Sequence, residues 1–416
     1  MNPVTYPSKD ISSYFISLKN MYPKAYDKHK TSPFTKVRII LMNGTEFESN
    51  WFLHQFARNC TDQDLRRQLA IVRAQEQQQQ KRLSCLKPIN ENMLETTISY
   101  EQLAIELTAI LAQNVKCKNT RAALDFALLE DFDHLYRFSN LLKMDYNIDA
   151  SNIVGIYTEI MPARPTIAHH RHPIDNIRAH MIAKKADLYT QLVGDIITAA
   201  EQQTMNFYMN MAQMYKNNLG RKLFSEIGLV EEEHVSQYES LKDPNCTWLE
   251  QWVMHEYTEC YLYYSMQEDE SDPYVKEIWQ EHFEMEVAHL KLAIQMLEKY
   301  ENKEVKCVLP KQEFPILLKF GENIDYIRNV IKTANLTSVL EDYICIEKLP
   351  NDARFFEYNT FLTGSEDDAP SHEVIEKYIA KNKKDYRVET QPHPLEELQN
   401  RKKDNTTLGR CKASKK

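Results

Sequence analysis

Glycine is scarce in this chain, at 8 of 416 positions, where an average protein has roughly 7%. The tight turns of β-hairpins rely on glycine, because it adopts backbone conformations that other residues avoid. Long runs rich in alanine, leucine, glutamate, glutamine, lysine and methionine favour helices instead. The sequence therefore predicts an all-α fold.

The charge balance and the hydropathy pattern exclude several classes of function. The formal net charge is −9, whereas a nucleic-acid-binding protein needs a basic face. No apolar run approaches the roughly 18 to 20 residues of a membrane span, and the N-terminus lacks a basic stretch followed by an apolar one. Eight scattered cysteines without a Cys-x-x-Cys pair are typical of reduced thiols. We expect a cytoplasmic protein that binds neither nucleic acid nor membrane.

Helical periodicity recurs along the chain, with apolar residues at steps of three and four. Short polar breaks separate these segments, which predicts antiparallel neighbours and hence bundles. The proline-rich stretch "IMPARPTIAHHRHPID" interrupts the pattern and indicates a connector. The predicted parts are a first four-helix bundle with an N-terminal arm (1–145), the connector (146–185), a second four-helix bundle (186–305), a helical extension (306–390) and a disordered basic tail (391–416).

Two segments of the second bundle contain the motif Glu-x-x-His. Residues i and i+3 project from one face of a helix, so both side chains of each motif can bind the same metal ion. Each motif has a carboxylate 30 residues upstream, a spacing that a helical hairpin brings to the same height. The candidate ligands are Glu201, Glu231, His234, Glu256, Glu286 and His289.

The order Glu, Glu-x-x-His, Glu, Glu-x-x-His on four successive helices resembles that of the ferritin-like di-iron carboxylate superfamily. The resemblance implies that Glu231 and Glu286 bridge two metal ions. It implies terminal positions for the other ligands: Glu201, Glu256, His234 and His289. Glu259, one turn beyond Glu256, is a possible further ligand. Sites rich in oxygen with one imidazole per metal suit iron or manganese, so the expected cofactor is two iron ions or one manganese and one iron.

The first half of the chain carries a similar pattern 155 residues earlier. Subtracting 155 from the positions of the four glutamates among the candidate ligands gives an acidic residue each time: Glu46, Glu76, Glu101 and Asp131. The glutamine tract "AQEQQQQKR" then corresponds to the first Glu-x-x-His helix, with a glutamine at the histidine position. We predict an internal duplication that produced two tandem bundles, the first with a degenerate site that binds metal weakly or not at all. The degenerate site consists of Glu46, Glu76, Gln79, Glu101, Asp131 and His134.

Two assignments in this pattern have alternatives. Gly44 suggests a helix start near Glu46, in which case Glu48 faces inward instead. Tyr208 and Tyr263 follow the upstream carboxylates of the two motifs at equal distances. We predict that both pack in the core with a hydroxyl partner, and a redox role is the alternative.

The connector contains a second group of potential ligands, His169, His170 and His172. They have no further ligand at motif spacing, so we interpret this stretch as a polar linker.

The ligand pattern favours an oxidoreductase that activates dioxygen or peroxide. Because the chain lacks the Cys-x-x-Cys pairs of a rubredoxin module, it would need a separate electron donor. Two other hypotheses stay open: an iron-binding or ferroxidase protein without an organic substrate, and a non-catalytic helical scaffold. A homo-oligomer is possible.

Overall fold

The computed structural model describes residues 1–333, 343–344, 346–364 and 368–404. Within them the chain forms helices and one isolated bridge, and no named strand, which confirms the all-α prediction. No helix of this part is both long enough and apolar enough to cross a membrane. The α-helices are α1 (Leu18–Met21), α2 (Pro33–Asn59), α3 (Gln63–Ser84), α4 (Met93–Asn114), α5 (Lys118–Tyr146), α6 (Ser151–Val154), α7 (Leu188–Met214), α8 (Asn218–Ser240), α9 (Trp248–Asp269), α10 (Pro273–Glu301), α11 (Ile324–Thr333), α12 (Arg354–Thr363) and α13 (Pro370–Asn382).

The long helices recur at a fixed offset. α2 and α7 begin and end 155 residues apart, as do α4 and α9, and α5 and α10. The caps follow the same offset: Asn92 and Thr247 each open a capping box, and left-handed Asn147 and Asn302 end α5 and α10. Such caps satisfy backbone groups that a helix end leaves without partners. The regularity supports the predicted duplication, which itself stays a prediction.

The chain forms two compact units, and each is discontinuous in sequence. Unit 1 consists of Met1–Glu91, His180–Gln203 and Lys242–Phe320. Unit 2 consists of Asn92–Ala179, Thr204–Leu241 and Gly321–Lys416, of which the residues given above are described. This division differs from the predicted tandem order of bundles at 1–145 and 186–305.

Unit 1 is built around two helical hairpins from different halves of the chain. α2 packs on α3, α9 packs on α10, and the hairpins meet through α2 with α9 and α3 with α10. Short loops determine which helices form a hairpin, but either docking order of the hairpins buries the same apolar stripes. The sequence pattern therefore could not select the pairing that the structure shows.

Unit 2 contains the hairpin of α4 and α5, with α8 packed on α5 and α13 on both α5 and α8. α11 also packs on α5, so the predicted helical extension contributes to this unit. Residues 391–404, predicted to be disordered, lie against it as well. Asp404 forms an ion pair with Arg137 of α5, whose Nη1 lies 2.7 Å from Asp404 Oδ2. His393 Nε2 contacts the carbonyl oxygen of Pro162. The remainder of the predicted tail, 405–416, lies outside the described residues.

Gly44 lies inside α2 and does not start it, so Glu46 is a buried mid-helix residue and Glu48 is only partly buried. The reason for glycine is a close approach within unit 1. A Cβ at this position would lie 2.7 Å from Nε2 of Gln203 and 3.1 Å from the carbonyl oxygen of Ala199. The Gln203 amide also donates to the carbonyl of Ile40 at 2.8 Å.

We expect Gly44→Ala to lower the stability of the protein by about 1–3 kcal/mol, because the added methyl group overpacks this crossing. Gly194→Ala is the matched control. A Cβ there meets Lys242 and Met181 at ordinary distances of 3.5 and 3.6 Å, so alanine should stabilise α7 by about 0.5–1 kcal/mol through its helix propensity. Urea unfolding followed by circular dichroism measures both, and equal effects of the two variants would contradict the close approach.

Candidate metal centres

The first candidate centre lies in the core of unit 1. Glu76 of α3, Glu256 of α9, and Glu286 and His289 of α10 place ligand atoms within 4.8 Å of one another, and all four side chains are buried. His289 Nδ1 lies 2.9 Å from Glu76 Oε1 and 2.9 Å from Glu286 Oε2. Its distance to Glu256 Oε2 is 3.8 Å. The group can hold a metal ion through three carboxylates and one imidazole.

A second group in unit 1 shares Glu76 with the first. Glu46 of α2, Glu76 and Glu259 of α9 also place carboxylate oxygens within 4.8 Å of one another. The amide of Gln79 donates to Glu46 Oε1 at 3.2 Å and also to Glu286. Glu76 therefore lies between two adjacent groups of ligands.

The orientation of the His289 ring is determined by Gln75, one residue before Glu76. The Gln75 amide nitrogen donates to the carbonyl of Ile11 at 2.7 Å, so its oxygen faces His289 Nε2 at 2.8 Å. An amide oxygen can only accept a hydrogen bond, so His289 Nε2 must carry the hydrogen. A neutral His289 then turns an unprotonated Nδ1 toward the two carboxylates, which is the tautomer that binds a metal ion.

The second candidate centre lies in unit 2 around Glu231 of α8. Glu101 of α4, His134 of α5 and Glu231 place ligand atoms within 4.8 Å of one another, and Glu231 belongs to another such group with Asp131 and His234. His134 Nδ1 lies 3.0 Å from Glu231 Oε1. His234 Nδ1 lies 3.3 Å from Glu231 Oε2 and 3.3 Å from Asp131 Oδ1.

The two candidate ligand imidazoles of unit 2, those of His134 and His234, are oriented in the same way as that of His289. His169 Nε2 lies 2.9 Å from the carbonyl of Arg164 and must donate to it. Its Nδ1, 3.3 Å from His134 Nε2, then accepts from that ring. His234 Nε2 lies 2.8 Å from the carboxylate of Glu130. In the neutral rings the unprotonated nitrogen of each therefore faces Glu231, as metal-binding histidines require.

Buried carboxylates crowd the core of unit 1. Burial first, and then the charge of Glu76, raises the pKa of Glu46, Glu256 and Glu259 well above the ordinary value. Burial opposes the charged form of His289, but the Glu286 and Glu76 carboxylates outweigh it and hold the His289 pKa well above its usual range. Without a cation, protons must therefore neutralise these groups.

Several buried carboxylate oxygens have no hydrogen-bond partner among the described residues. They include both oxygens of Glu259 and Oε2 of Glu256. Buried polar atoms are nearly always paired, so these oxygens are free to bind a cation. This fit is independent of the sequence motif, and it indicates that the donors of unit 1 suit a cation.

The predicted ligand set is divided between the units. Unit 1 brings the second Glu-x-x-His pair and its upstream Glu256 together with Glu76, whereas Glu231 and His234 meet Asp131 and His134 in unit 2. Glu201 is buried on α7, in the segment assigned to unit 1. Each centre thus mixes ligands predicted for the complete site with ligands predicted for the degenerate one.

The two tyrosines are buried, with their hydroxyl groups on candidate ligands. Tyr208 donates to Glu101 at 2.5 Å, and Tyr263 donates to Glu46. His282 Nδ1 lies 3.0 Å from the Tyr263 hydroxyl oxygen. The hydroxyl partners are therefore the carboxylates of the centres.

The connector is not the polar linker that its histidines suggested. His169 and His170 are buried, at 0% and 1% exposure, and His169 contacts the candidate ligand His134. Arg171 of the same stretch pairs with Glu130 at 2.9 Å. The proline-rich pattern concealed this role, because no regular period marks which side chains of an irregular segment face the core.

Comparisons with protein-family models, with curated proteins and with solved structures found no match to this chain. The fold and the two buried clusters therefore define it as an all-α protein with candidate metal centres.

We expect Gln75→Leu to weaken metal binding in unit 1 by about 10–100-fold, since the partner that fixes the His289 ring is lost. Gln78→Leu is the matched control, because Gln78 also holds the N-terminal arm, through the carbonyl of Ile16 at 2.9 Å. Titration of the metal-free protein with Co²⁺, followed by its visible absorption, measures the affinity. Equal losses in both variants would show that the arm acts by a route other than the imidazole.

The metal-free protein should become less stable as the pH rises from about 5 to about 8. Glu46, Glu256 and Glu259 have raised pKa values when folded, so the stability they contribute is present below their unfolded pKa and lost as they ionise. Thermal unfolding in a chelator at several pH values measures this slope. Glu259→Gln should flatten it, and a melting temperature that does not depend on pH in the wild type would refute the expectation.

Proposed function

We propose that this chain is a dimetal carboxylate protein of the oxidoreductase type, with its reactive centre around Glu231 in unit 2. One observation carries the proposal. His134 Nδ1 faces one oxygen of Glu231 at 3.0 Å, and His234 Nδ1 faces the other oxygen at 3.3 Å. Glu231, His134 and His234 would together hold two metal ions, because each oxygen of the carboxylate has one imidazole beside it.

The donor set favours iron or manganese, because carboxylates with one imidazole per metal suit these ions. Two iron ions, or one manganese and one iron, would supply the activation of dioxygen or peroxide. The chain would bind the ions through Glu101 and Asp131 besides Glu231, His134 and His234. Glu130 and His169 orient the two rings, and burial of the whole group excludes bulk water.

The resemblance to the ferritin-like di-iron superfamily supports this function, since Glu-x-x-His motifs on helices are its hallmark; Asp131 departs from that motif by one methylene group. Here Asp131 with His134 and Glu231 with His234 come from the two halves of the chain. A separate protein would deliver electrons, because the chain has no Cys-x-x-Cys pair of its own.

Metal analysis of the purified protein tests the proposal. The wild type should hold iron or manganese, Glu231→Ala should lose the metal of unit 2, and the exposed neighbour variant Glu232→Ala should keep it. The reduced wild type should also change its visible absorption on exposure to oxygen, and Glu231→Ala should not.

The outcome separates the three hypotheses. Absence of bound metal in the wild type, or equal metal in the two variants, rejects the proposed centre and favours a scaffold. If no metal is held, oxidation of added Fe²⁺ by dioxygen with release of Fe³⁺ distinguishes the iron-handling alternative from the scaffold, which does not accelerate this oxidation.

A further inference from the structure

Glu259 in unit 1 is a carboxylate whose burial the described contacts do not balance. Its side chain is 0% exposed, and neither oxygen has a hydrogen-bond partner among the described residues. The closest ion-pair partner is His255, whose Nε2 lies 3.8 Å from Oε2. An ionised carboxylate in such a position needs a counter-charge, because burial removes the water that would otherwise solvate it.

The group of potential ligands to which Glu259 belongs contains carboxylates and no histidine. Its carboxylate lies within 4.8 Å of those of Glu46 and Glu76. Gln79, at the position where a Glu-x-x-His motif has histidine, offers a buried amide oxygen that also lacks a described partner. Carboxylate and amide oxygens are the ligands that hard divalent cations prefer.

We propose that unit 1 contains an all-oxygen cation site formed by Glu46, Glu76, Glu259 and the amide oxygen of Gln79, selective for a hard divalent ion such as Mn²⁺. Glu76 is shared with the neighbouring group that contains His289, so the two positions form an asymmetric pair. The position with the imidazole suits a softer transition metal, and the all-oxygen position does not. This site is separate from the centre of unit 2 and does not rest on the function proposed for it.

The Gln79 amide must turn over for its oxygen to bind the ion. In the described state its nitrogen donates to the carboxylates of Glu46 and Glu286, which places a donor hydrogen among negative groups. A cation at the site would take over this role, and the flipped amide would present its oxygen. The Gln79 amide can therefore donate to the carboxylates when no cation is bound and can offer its oxygen to a cation when one is.

The test uses the full-length, metal-free chain, titrated with Mn²⁺ and followed by the electron paramagnetic resonance of the free ion. Glu259→Gln should bind one equivalent of Mn²⁺ fewer than the wild type. Glu48→Gln is the matched control, because Glu48 contacts the same His255, at 3.3 Å, but belongs to neither group. Repeating both titrations in a Glu231→Ala background removes the contribution of unit 2.

Equal Mn²⁺ stoichiometry in the wild type and in Glu259→Gln would overturn the proposal. Failure of the Glu231→Ala single variant to bind Mn²⁺ would overturn it as well. Gln79→His keeps the proposal testable if Glu259→Gln does not fold. It restores the Glu-x-x-His motif, so the site should gain affinity for Co²⁺ relative to Mn²⁺, and the Co²⁺ absorption spectrum should show an added nitrogen ligand. An unchanged Co²⁺ to Mn²⁺ preference would also reject the site.

Discussion

The burial of many carboxylates in one helical core is the constraint on which the rest of unit 1 depends. Five of them come from four helices: Glu46, Glu76, Glu256, Glu259 and Glu286. Removing each charge from water costs several kcal/mol unless a counter-charge or a proton replaces the lost hydration. The helices can therefore pack together only where protons or cations neutralise this cluster. The stability of the core depends on that neutralisation.

Segments outside the long helices complete both centres. The N-terminal arm fixes the Gln75 amide through the Ile11 carbonyl, and the connector supplies His169, which the Arg164 carbonyl orients. In both cases a backbone carbonyl fixes the orientation of an intermediate side chain, Gln75 or His169. That side chain then fixes which nitrogen of the candidate ligand, His289 or His134, carries the hydrogen. The arm and the connector are thus parts of the centres, since they determine which nitrogen of His289 and of His134 is available.

Periodicity predicted the helices well, because every helix that packs on the core has apolar residues at a spacing of three to four along one face. The acidic-x-x-His spacing likewise identified side chains that the structure buries in clusters. The sequence could not predict which hairpins pack against each other, because the two halves of the chain have the same pattern of apolar residues. For the same reason Glu286 and His289 could not be matched with Glu76. The roles of Gln75 and His169 needed the contacts themselves, as a glutamine in a polar tract and a histidine among prolines carry no periodic signal.

The differences between the two centres follow a pattern of compensation. If the predicted duplication holds, Gln79 corresponds to His234, and Glu259 corresponds to Ala104. The candidate centre with two histidines thus has alanine where the other has a fifth carboxylate, and the candidate centre that lacks the second histidine has an acid at that position. Random decay of a site would remove ligands without replacing them, and it would not add a charged group to an apolar position at a cost of several kcal/mol. With that duplication, the glutamine tract is better explained by a difference in the kind of cation that the two units would bind than by loss of a site in unit 1.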